Sequence, residues 1–161
     1  MNMKHLLPVA ATLIVASGSA MAGTGTGTLN VSMNIVPQCT ITAANVDMGE
    51  LGLMKTNTDK TGNNSITMKC TANTPYAITL QDAADPTNDN IQLKDGSGNA
   101  IDLLQYQDTG RTVLWNSTNA KSGTSTGGMG GDVFSVYLRV PAQAAKPAGA
   151  YSVGLNAVVS F

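Results

Sequence analysis

Histidine occurs once in this sequence, at His5, within a stretch that reads as a removable leader. Glutamate also occurs once, at Glu50, and cysteine twice, at Cys39 and Cys70. With no imidazole left in the body, Ser–His and Cys–His nucleophilic sites and histidine-containing zinc sites are excluded. Charged residues make up only 12% of the chain and form no basic stripe, so no surface for nucleic acid or anionic lipid is expected. Aromatics are 4%, and with so few of them Trp115 and Tyr106 are assigned to core or sheet-face packing. No helical period of useful length appears, and no apolar run reaches the roughly 20 residues of a membrane span.

What is there begins with residues 1–22. Lys4 and His5 give a positive start, Leu6 to Ala16 is a short apolar run, and Ala20-Met21-Ala22 is a small-residue cleavage pattern. This is the form of a secretory signal peptide cut after Ala22. The exported remainder is the size of one domain, with eight basic against ten acidic residues once Lys4 is removed. Two cysteines in an oxidising compartment read as one Cys39–Cys70 disulfide.

Residues 23–36 follow as a Gly/Thr leader running into Thr-Leu-Asn-Val-Ser-Met-Asn-Ile, Thr28 to Ile35. Leu29, Val31, Met33 and Ile35 alternate with Thr28, Asn30, Ser32 and Asn34, so this strand has one dry and one wet face. Residues 37–161 form the body. Strands are expected at Cys39–Ala43, Val46–Leu53 (short or bulged), Ser65–Thr71, Tyr76–Leu80, Ile91–Lys94, Ile101–Gln107, Arg111–Trp115 and Asp132–Val140. Loops are expected at Met54–Asn64, Asp82–Asn90, Asn116–Gly131 and Pro141–Gly149. Short strands at this spacing predict a β-sandwich with Greek-key connections.

The chain closes on Tyr151–Phe161, read as its longest and most apolar strand. Tyr151, Val153, Leu155, Ala157, Val159 and Phe161 share one face, with nothing after them to pair the edge. Such an edge is a template for an added strand. A donor at one end and an open edge at the other is a heterologous pairing that runs into a filament.

Other constellations carry less. Asp82, Asp85 and Asp89 cluster but miss the calcium-loop spacing, so a solvated loop is expected. Asn63-Asn64-Ser65 and Asn116-Ser117-Thr118 fit the glycosylation pattern and equally fit plain turns. Gly127 to Gly131 lacks the Lys-Ser/Thr of a phosphate loop.

The order of these pieces resembles the spore coat protein U family, which includes subunits of archaic chaperone–usher pili. The pieces are Leu29-Asn-Val-Ser-Met-Asn-Ile-Val-Pro-Gln-Cys39, the Cys70 strand, Leu104-Gln-Tyr106 with Trp115, Val136-Tyr-Leu-Arg-Val140-Pro141, and Pro147-Ala-Gly149-Ala-Tyr151. Ser152 departs from the Asp that family members often carry there. The resemblance implies an incomplete immunoglobulin-like sandwich lacking its last strand, completed by donor-strand complementation. It also implies a periplasmic chaperone, an outer-membrane usher, head-to-tail pilin partners, a surface pilus serving adhesion and biofilm formation, and neither enzyme activity nor a cofactor. Leu29, Val31, Met33 and Ile35 become the donor residues. Tyr151, Val153, Leu155, Ala157, Val159 and Phe161 become the groove edge. The alternatives are a spore or cell-surface coat protein and a tip adhesin, against which the donor segment and single-domain length count.

Overall fold

A computed structural model describes residues 23–50 and 58–161, with nine β-strands and no helix among them. The signal-peptide reading of residues 1–22, Leu51–Leu53 of the expected Val46–Leu53 strand and residues 54–57 of the expected loop lie outside the described residues. The chain divides into two units, one ending at Asn34 and one spanning Ile35–Phe161. In the first, residues 23–34 carry no secondary structure and are exposed throughout.

The second unit is built from β1 (Cys39–Ala43), β2 (Thr58–Cys70), β3 (Pro75–Asp82), β4 (Gln92–Lys94), β5 (Ala100–Asp102), β6 (Leu104–Tyr106), β7 (Lys121–Thr124), β8 (Asp132–Val140) and β9 (Leu155–Ser160). One sheet has the order β1-β2-β8-β6 and a second the order β7-β3-β9, while β4 and β5 form a separate hairpin. Every strand pair is antiparallel. Alternation puts Ile66 and Met68 of β2 and Val136, Leu138 and Val140 of β8 on the interior face of the first sheet. They share one core with Ile78 and Leu80 of β3. Trp115 sits in that core, 1% exposed, and its indole N–H donates to the Ile78 carbonyl at 2.8 Å. A buried indole needs such a partner.

Cys39 and Cys70 are bonded, and they are register partners on the adjacent strands β1 and β2. The bridge therefore staples one edge strand to its own sheet. In the chain-entropy model a loop of about 30 residues is worth roughly 3–4 kcal/mol.

Six expectations are corrected. Thr58–Asn64, expected in a loop, is the first half of β2 and pairs with β8, with a register irregularity between Thr61 and Ser65. Val46–Glu50 is irregular instead of a strand. Ile101–Gln107 is two strands that separate at Leu103, β5 pairing with β4 and β6 with β8. Ile101, Leu103, Gln105 and Tyr106 are all buried. Arg111–Trp115 is a loop with one bridge, Leu114 to Tyr106, because the Asp108 carboxylate accepts from the Thr112 and Val113 amides and Arg111 takes a positive φ of 52°. Lys121–Thr124, expected in a loop, pairs with β3 as β7. At the C-terminal end the regular strand is six residues, shorter than β2 and β8, because Tyr151–Gly154 approaches irregularly. There Ser152 bridges Lys94, and the Gly154 carbonyl accepts from the Ala83 amide.

The glycine-rich loop is explained by close packing on β2. Gly131 has φ +80°, and a Cβ there would lie 2.7 Å from the Met68 carbonyl oxygen. Gly131→Ala is expected to cost more than about 1 kcal/mol, read as a lower urea midpoint at unchanged slope. An unchanged midpoint would refute the packing role.

Candidate functional site

The two edge strands β1 and β9 lie alongside each other, and the sandwich is open between them. The cross-strand partners of β9 make this visible. Ile78 and Leu80 are 0% and 4% exposed, while the residues paired with them, Val159 and Ala157, are only half-buried. On the other sheet Met68 and Ile66 are 0% and 2% exposed, while their partners Ile41 and Ala43 on β1 are half-buried and exposed. Paired residues share a face, so burial should be similar across each pair. It falls away toward the seam, where no further strand stands among the described residues.

A cavity of about 280 Å³ opens there. Its mouth is formed by Ala43–Gly49 and by Tyr151, Ser152, Val153, Leu155 and Ala157, and its floor by the core residues Ile66, Leu80, Leu103, Val136 and Leu138. A neighbouring hollow of about 620 Å³ shares Met48, Gly49, Leu93 and Tyr151, continuing the depression toward Lys146–Ala150. The seam is a trough reaching the apolar core, bordered by the edge strands β1 and β9. Apolar troughs bordered by strand edges are suited to extended chains of alternating polarity.

The residues named from the sequence fall as follows. Tyr151, Val153, Leu155 and Ala157 line the trough, and Val159 is half-buried on the same strand face. Phe161 lies past the last paired residue and is 59% exposed. Leu29, Val31 and Met33 in the first unit are 85–86% exposed, and Ile35 is 69% exposed. The contribution of β1 and of Ala43–Gly49 to the mouth was missed. The weak alternation of Cys39–Ala43 was its only sequence signal.

The aspartates serve loops. Asp82 accepts from the Ala84 amide, Asp85 from the Thr87 amide and hydroxyl, and Asp89 from the Ser117 and Thr118 hydroxyls. Among the described residues no three His, Cys, Asp or Glu side chains gather as a metal site. Asn116 accepts from the Asn119 amide, as a turn.

Hydrogen bonds hold four carboxyls below their ordinary pKa: Ser117 on Asp89, Asn99 on Asp95, the Val113 amide on Asp108 and Thr126 on Asp132. Burial, then the nearby Asp132 charge, raises the Tyr76 hydroxyl.

The fold and the seam define a class: an all-β sandwich of antiparallel sheets whose β1–β9 side is open among the described residues. The chain belongs to the Spore Coat Protein U domain family, whose model matches residues 25–157. Among solved structures it is similar to a chain of the CsuC–CsuE chaperone–tip adhesion subunit pre-assembly complex, from the archaic chaperone–usher Csu pili of Acinetobacter baumannii. That chain is 18% identical with a TM-score of 0.52, and the match covers 79% of this chain and 40% of that one. No curated protein matches. No helix among the described residues is long and apolar enough to cross a membrane.

Because these carboxyls have lowered pKa values, the stability they add is complete above the ordinary carboxylate value of about 4 and is lost as pH falls through their folded values. Residues 23–161 contain no histidine, so no imidazole of theirs titrates between pH 5 and 8. The melting temperature should stay level across that range and fall below about pH 4. A level profile down to pH 2 would contradict these loop assignments.

Proposed function

We propose that this chain is a structural subunit of a surface pilus, assembled head to tail by donor-strand exchange through the chaperone–usher pathway. The observation that carries this reading is the open seam between β1 and β9, whose floor is the hydrophobic core itself. The exposed alternating segment Thr28–Ile35 supplies the complementary chemistry.

In this reading, residues 1–22 direct export to the periplasm, where a chaperone lends a strand to the seam and holds the body folded. An outer-membrane usher then catalyses replacement of that strand by the Thr28–Ile35 segment of the next copy. Leu29, Val31, Met33 and Ile35 enter the trough, with Tyr151, Val153, Leu155, Ala157, Val159 and Phe161 along its β9 border. Asn30, Ser32 and Asn34 stay wet. Four plugs at about 1.5–3 kcal/mol each give a gross gain of roughly 6–12 kcal/mol. Backbone bonds to one or both edges add to this and fix register, since a slip of one residue turns the polar face into the trough. Donor and acceptor surfaces differ, so the contact repeats into a fibre that presents the subunit for adhesion and biofilm formation.

The family's description favours a second reading, a coat layer built from the same joint. Electron microscopy of the producing cells separates the two. Thin free fibres containing this chain support the pilus, and a continuous surface layer supports the coat.

Deleting residues 23–35 is expected to leave a subunit that binds its chaperone but cannot fill a neighbour, so normal-length fibres from the deletion would refute the reading. Met33→Asp places a charge in the trough and should cut fibre yield about ten-fold or more, which needs only about 1.4 kcal/mol. Asn34→Asp faces solvent and should be mild. Equal losses at the two positions would overturn the assigned face.

A further inference from the structure

We propose that Thr71 is a positioning residue that clamps the root of the N-terminal segment, so that consecutive copies meet with no free linker between them. This rests on the donor-strand reading above and goes beyond it to the geometry of the joint.

Thr71 follows Cys70 at the end of β2 and makes three hydrogen bonds to the residues leading into β1. Its hydroxyl donates to the Val36 carbonyl at 3.1 Å and accepts from the Gln38 amide at 3.2 Å. Its own amide donates to the Gln38 carbonyl at 2.9 Å. One side chain thus brackets Val36-Pro37-Gln38 from both ends. The Cys39–Cys70 bond sits immediately beside it and fixes the next residue covalently. Pro37 holds its own φ near −65° and keeps Val36 out of the helical region, so the root leaves the body extended.

The clamp reaches Val36, and the last donor residue is Ile35. No residue separates the part seated in the neighbour from the part fastened to its own body. If Val36–Gln38 were released, three residues would add about 10 Å of reach and the rotational freedom of their backbone. These bonds are exposed to solvent and individually modest. Their effect therefore falls on the direction and stiffness of the joint more than on whether it forms.

The test is the bending of single fibres by electron microscopy, for the wild type, Thr71→Val, Thr71→Ser and Pro37→Gly, alongside a Gly-Ser-Gly insertion between Ile35 and Val36. Thr71→Val keeps the shape and removes the hydroxyl. It is expected to shorten the persistence length about two-fold, as an added flexible linker does, while Thr71→Ser keeps wild-type stiffness. Pro37→Gly loosens the same root without touching β2 and should soften fibres likewise. Wild-type stiffness in Thr71→Val overturns the clamp, and should that variant not fold, wild-type stiffness in Pro37→Gly does so. Unchanged stiffness in the insertion variant overturns it too, since the joint is then not where the fibre bends. Fibres that form equally well without residues 23–35 strike the donor-strand reading itself, which distinguishes that failure from failure of the clamp.

Discussion

A β-sandwich excludes water from its core only if both of its long sides are closed, and here the side between β1 and β9 is open among the described residues. The gradient in burial across the paired strands is the physical sign. Each step from β3 to β9, or from β2 to β1, moves along one interior face from dry to half-wet. Apolar surface left in this state has a standing tendency to be covered. The seam is bordered by two edge strands, and an edge strand is a template on which a further strand can pair.

The rest of the molecule is arranged around that opening. The disulfide ties β1 to β2, so the edge strand facing the gap is held even where its other neighbour is missing. The bridges from Lys94 to Ser152, and the Ala83 amide on the Gly154 carbonyl, hold the approach to β9 in place along the other border. On the far side, β7 closes the second sheet with a short strand. A Cβ at its Gly123 would lie 2.6 Å from the Tyr76 hydroxyl oxygen, so the Tyr76 side chain lies over that glycine. One flank is sealed by local packing, and the other is open among the described residues.

Much of this was legible in the residues, in proportion to how strongly one face was buried. β8 alternates across its full length, with Val136, Leu138 and Val140 dry, and its bounds agree with the sequence reading. β1 and the Cys39–Cys70 pairing also agree with it. Thr58–Asn64 was not readable as strand, because Thr-Asp-Lys-Thr-Gly-Asn-Asn has no apolar period and low intrinsic strand preference; its pairing with β8 is imposed by tertiary context. Lys121–Thr124 was hidden for the same reason. Arg111–Trp115 erred in the other direction: its apolar content suggested a strand, but Asp108 organises it as a loop that delivers Trp115 to the core. The seam was half legible. Alternation marked Tyr151–Val159, whereas the contribution of Ala43–Gly49 depends on where two sheets meet, which no local pattern encodes.

The most direct measurement is amide hydrogen exchange on a subunit lacking residues 23–35, with and without a peptide copying Thr28 to Ile35. The account predicts that β1 and β9 exchange rapidly alone and become protected together on adding peptide, with a melting temperature that rises as peptide concentration increases. At about 100-fold above its Kd such a ligand adds about 2.7 kcal/mol. A subunit whose β1 and β9 amides are already protected, melting sharply at a temperature the peptide does not move, would contradict it.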